Sequence, residues 1–82
     1  MHEHGLVDRL MERALAEAAA RGKRLRAVHV RLGAMATLDE TALRAAFEHV
    51  LEHLGRDDVA LVVERWPDRP TGIELVGIDL GG

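Results

Sequence analysis

The chain contains no cysteine, serine, tyrosine, asparagine or glutamine. Without thiols there is no disulfide framework and no thiolate metal site. Hydroxyls come only from Thr37, Thr41 and Thr71, and Lys23 is the single lysine. Little is left from which to build an activated nucleophile with its base and oxyanion donors. No pocket-forming set of carboxylates and histidines stands out either, so catalysis is not expected. Aromatic residues are confined to Phe47 and Trp66, which leaves the core to Ala, Leu and Val. No run approaches the ~20 apolar residues of a membrane span, and the opening residues lack the basic-then-apolar pattern of a secretory signal. Net charge is −3, from 11 basic and 14 acidic side chains without long runs. That balance argues against nucleic acid or an anionic membrane surface as the partner. The expectation is a cytoplasmic protein.

What is present fits one small domain over residues 1–82. Apolar residues make up 48% of the chain, enough for a globular fold, although a chain this short buries only ~60–65% of the surface exposed on unfolding. From Glu3 or Gly5 to Arg21 the spacing predicts a helix. Val7, Leu10, Met11, Ala14 and Ala18 share one side, and Gly22 serves as the stop. Arg26 to Leu32 alternates strictly, with Val28, Val30 and Leu32 on one face and Ala27, His29 and Arg31 on the other, as in a half-buried strand. Thr37-Leu38-Asp39-Glu40 fits a capping box with Thr37 at the cap. The helix after it presents Leu43, Phe47, Val50, Leu51 and Leu54 as one stripe and ends at Gly55. Val59 to Trp66 is rich in β-branched residues and reads as a second strand. A third strand runs from Ile73 to Leu80, with Gly77 marking a bulge or a close backbone approach.

The resulting fold class is α/β (α+β), order α-β-α-β-β, with two helices packed on one face of a three-stranded mixed sheet. The β-α-β stretch calls for a crossover that sets its two strands parallel. The six-residue link Pro67–Gly72 is expected to close an antiparallel pair between the last two strands.

Metal donors concentrate at the start. Met1-His2-Glu3-His4 sets two imidazoles and a carboxylate beside an α-amine. The amine titrates near pKa ~8 and histidine near ~6.5, so both offer lone pairs close to neutral pH. Amine, peptide nitrogen and the His2 imidazole can close fused chelate rings on one ion, a nitrogen-rich planar arrangement that suits Ni(II) or Cu(II) better than Mg or Ca. By itself the same opening also describes an ordinary solvated chain end. His49 and His53, four residues apart beside the apolar stripe of the second helix, can share one ion when helical, or stand as two solvated edge residues. His29 lies on the polar side of its strand as a surface histidine.

Three segments together resemble the HypA/HybF family of hydrogenase-maturation nickel metallochaperones. They are Met1-His2-Glu3 before an amphipathic helix, Val30-Arg31-Leu32-Gly33-Ala34-Met35, and Ala42-Leu43-Arg44-Ala45-Ala46-Phe47-Glu48. The likeness runs from residue 1 to about 66 and resumes at Glu74-Leu75 and Gly77-Ile78-Asp79-Leu80. It implies Ni(II) held at Met1 and His2, with Glu3 supplying its backbone nitrogen, its carboxylate or a contact to the acceptor. His4, at a position usually apolar in the family, is either an added donor or a spectator. Members of the family carry a zinc lobe with two Cys-x-x-Cys pairs between the second and last strands. Here residues 67–72 occupy that place and cysteine is absent, so no structural zinc and no zinc domain are expected. The resemblance further implies delivery of Ni(II) to a hydrogenase large subunit, directly or through the nickel-inserting GTPase. Homodimer formation is one way for so small a domain to gain burial, with Trp66 as an anchor. The alternative function is a metal-independent interaction or assembly module that keeps the fold without delivering nickel.

Overall fold

A computed structural model of the protein describes residues 3–34, 39–68 and 72–82, with backbone alone at Glu3 and His4. The elements follow the expected order: α1 (Glu3–Ala20), β1 (Arg24–Gly33), α2 (Glu40–Leu54), β2 (Ala60–Trp66) and β3 (Ile73–Gly81). Both helices put an apolar stripe into a single core. Val7, Met11, Ala14 and Ala18 come from α1, while Leu43, Ala46, Phe47, Val50 and Leu51 come from α2. They meet Leu25, Val28 and Val30 of β1. The alanines matter because small side chains let helix and sheet backbones approach closely, which a core poor in aromatics requires.

Both helices end by the same device. Gly22 and Gly55 take left-handed φ values of 63° and 70°, a region that costs a residue with a Cβ but not glycine. At α2, Gly55 N–H donates to the Glu52 carbonyl and Arg56 N–H to that of Leu51. At α1, Gly22 N–H donates to Ala19 and Lys23 N–H to Ala18. Each pair satisfies the last carbonyls that the helix leaves unmatched. The start of α2 departs from expectation. Asp39, not Thr37, is the cap, and its carboxylate accepts the Ala42 N–H at 2.8 Å; Thr37 lies outside the described residues. Both residue types cap helices well, so the local pattern is ambiguous by two positions.

Strand β1 is central in the order β2-β1-β3. It runs parallel to β2, with Val28 opposite Leu61 and Val30 opposite Val63, as the α2 crossover requires. The expected β2–β3 hairpin is corrected by the structure. Strand β3 lies antiparallel to β1 on its other side, with Val28 opposite Ile78 and Leu32 opposite Ile73. The reason is hydrogen-bond accounting: β1 is the most buried strand, and pairing β3 with β2 would leave one row of its backbone groups without partners in the interior. Gly33 N–H donates to the Gly72 carbonyl at 2.9 Å where the chain returns alongside β1. The ladder slips between His29 and Val30, so Val76 has no opposite number and Gly77 faces His29, consistent with a bulge beside Gly77.

A charged clasp ties the segment after α2 to the start of β1. Arg56 grips Asp58 with two parallel bonds of 3.0 Å and also donates to the Leu25 carbonyl at 2.9 Å. Arg24 Nε adds a bond of 2.7 Å to the same carboxylate. The Arg56 hydrogen bonds, then that from Arg24, hold the Asp58 carboxyl well below the usual carboxylate range. The same pairing raises the Arg56 pKa. Because the folded-state value is depressed, the clasp stabilises the protein fully above the unfolded-state pKa of ~4 and loses that contribution as pH falls further. Asp58→Asn is expected to lower the urea midpoint at pH 7, with the gap from wild type narrowing below pH 4. A pH-independent gap would show that the carboxylate charge contributes nothing.

Candidate metal centre

Of the residues expected to hold metal, Met1 and His2 lie outside the described residues. Glu3 and His4 form the first turn of α1. What the structure fixes is the helix that presents them. Val7 is 1% exposed and Met11 2%, so α1 is anchored to the core from its second turn onward. The donor-rich opening therefore leads directly into a helix whose position is set by packing.

The three remaining histidines fall in two places. His29 sits on the sheet face turned away from the helices, half-buried, with Nε2 3.0 Å from Asp79 Oδ2. Gly77 stands opposite it in the β1–β3 ladder. The same face carries Arg31 stacked over Trp66, 4.7 Å from the ring centroid, and 3.6 Å from Glu64. A guanidinium held between an aromatic face and a carboxylate is a stable surface arrangement, and its cationic centre makes this face a poor place for a metal ion.

His49 and His53 are exposed on α2. They line a groove of about 520 Å³ between the two helices, together with Asp8 and Glu12 of α1 and the side chains of Met11 and Leu54. The sequence could not show that these two carboxylates face the histidine pair. Each helix gives an outward position by its periodicity, but which outward positions meet depends on how the helices cross. Among the described residues, no group of three or more histidine, aspartate and glutamate side chains is placed to hold a metal ion. Among the same described residues, no helix is long and apolar enough to cross a membrane.

The model of one protein family, described as hydrogenase/urease nickel incorporation, metallochaperone, hypA, matches residues 1–70. None of the curated proteins matches the chain. The family match takes in the donor-rich opening, both helices and the first two strands, and the chain belongs to the HypA family of nickel-incorporation metallochaperones.

Proposed function

We propose that this protein is a nickel carrier that takes up Ni(II) as cargo at Met1 and His2 and delivers it for the maturation of a [NiFe]-hydrogenase. The recipient is the hydrogenase large subunit or the GTPase that inserts nickel into it. The observation that carries this reading is the match of the nickel-incorporation family over residues 1–70, opening included. Donor chemistry supports it: amine, amide and imidazole nitrogens are strong-field, nitrogen-only ligands of the kind Ni(II) favours. Glu3 adds its backbone nitrogen, its carboxylate or a contact to the acceptor, and His4 is either an added donor or a spectator. Cargo must also leave. A chelate built on the first residues of a chain can be dismantled one donor at a time as an acceptor's ligands enter, while the core, which among the described residues of α1 begins at Val7, stays in place. Such a protein binds and transfers but has no turnover of its own, and works in the cytoplasm, where hydrogenase subunits are assembled.

In this reading the domain acts without a structural zinc, because the cysteine-free chain has no thiolates and residues 67–72 join β2 to β3 directly. The test is a calorimetric titration of Ni(II) into tag-free protein beginning at Met1, beside His2→Ala. One equivalent bound with the weak visible band of planar Ni(II), lost in His2→Ala, is the expected result. Absence of binding in both would leave the interaction-module alternative.

A further inference from the structure

We propose that the α1–α2 groove holds a second divalent-metal site, whose protein ligands are His49 and His53. The first support is rigidity. Helix α2 is capped by Asp39 at one end and by Gly55 at the other. Leu43, Phe47, Val50 and Leu51 bury its inner side. Two residues four apart on so fixed a helix have Cβ atoms ~5–6 Å apart, a spacing from which two imidazoles converge on one ion.

The second support is the local sequence. His49-Val50-Leu51-Glu52-His53 has the H-x-x-E-H spacing by which a helix presents a histidine pair to zinc in one class of metallopeptidase. Only the two-histidine half of that arrangement is available, because no third protein donor is in place among the described residues. Water therefore completes the coordination shell, and the site is open and exchangeable.

The third support is charge. The groove is lined by Asp8 and Glu12 and by no lysine or arginine. The resulting negative potential concentrates cations at the histidine pair, and the carboxylates can accept hydrogen bonds from metal-bound water. Imidazole donors suit late first-row ions, Zn(II), Cu(II) and Ni(II), over Mg or Ca.

Zn(II) is the probe of choice, since it is diamagnetic and does not favour the planar chelate of an amine terminus. It is titrated into a His2→Ala/His4→Ala background, in which the two opening imidazoles are removed. Calorimetry and histidine ring NMR signals are followed together. One equivalent should bind, with shifts at His49 and His53 and none at His29. Binding should be lost when either His49→Ala or His53→Ala is added, while the helical circular dichroism stays unchanged. No saturable binding in the background protein overturns the proposal, as does binding that survives either substitution. Neither result touches the nickel reading, which rests on His2→Ala in the otherwise native protein.

Discussion

Placing Gly-Ser ahead of Met1 is expected to cut Ni(II) affinity by at least about a hundredfold, equivalent to roughly 2.7 kcal/mol of binding free energy, while leaving the melting temperature unchanged. In protein that begins at Met1, the α-amine has a pKa of ~8 and yields its lone pair near neutral pH. Once acylated, that nitrogen is an amide that must first lose a far less acidic proton. The chelate ring joining it to the His2 peptide nitrogen loses its strongest member. Among the described residues, the buried side of α1 begins at Val7 and continues through Met11, Ala14 and Ala18, so the extension leaves those core contacts in place. Calorimetry for the metal and a thermal melt for the fold, on the same two proteins, separate the effects. Equal affinity with and without the extension would remove the amine from the ligand set. Hydrogenase maturation that persists with the extended protein would favour the interaction module over the carrier.

The elements of this fold were legible because each rests on a local period. Val7, Met11, Ala14 and Ala18 mark one side of a 3.6-residue repeat, and all four are buried. Val28, Val30 and Leu32 mark one side of a two-residue repeat and are likewise buried. What the sequence left open was the neighbour of β3. Ile73, Leu75, Ile78 and Leu80 specify which face of β3 meets the core, but the same pattern serves beside β2 or beside β1. Only the unmet backbone groups of the central strand decide, and those are a property of the assembled sheet. The α2 cap failed for a smaller reason: threonine and aspartate both accept from a helix N–H, and Thr37 and Asp39 stand two residues apart.

The candidate metal residues divide along the same line. The chelating capacity of Met1-His2-Glu3 follows from bond connectivity and is readable without a fold. The juxtaposition of Asp8 and Glu12 with His49 and His53 has no local signal, since the two pairs are some forty residues apart and meet only through the packing of α1 on α2. The Arg31–Trp66 stack is the same kind of feature: Arg31 was assigned to the polar face of its strand, but its ring partner comes from the far end of β2.

Leu43→Ala is expected to destabilise the fold by about 3 kcal/mol, within the ~2–5 kcal/mol that truncation of a buried leucine costs through lost transfer energy and the cavity left behind. Leu43 is 1% exposed and belongs to the cluster that α1, β1 and α2 share. The cluster holds one aromatic, Phe47, and one long flexible side chain, Met11, among Val, Ala and Leu. An 82-residue domain is stable by only ~4–12 kcal/mol, so the loss is a large fraction of the total. It should lower the melting temperature by ~12–24 °C at the 4–8 °C per kcal/mol usual for this size. Urea unfolding followed by circular dichroism measures the change directly, with an unaltered slope showing that the unfolded state is the same. At 10 °C, where the variant remains mostly folded, Ni(II) should bind it as it binds wild type, because the donors precede the packed part of α1. A matching fall in nickel affinity would mean that the opening residues lean on the core. Their ligand geometry would then depend on the packing of α1 as well as on their own bonds.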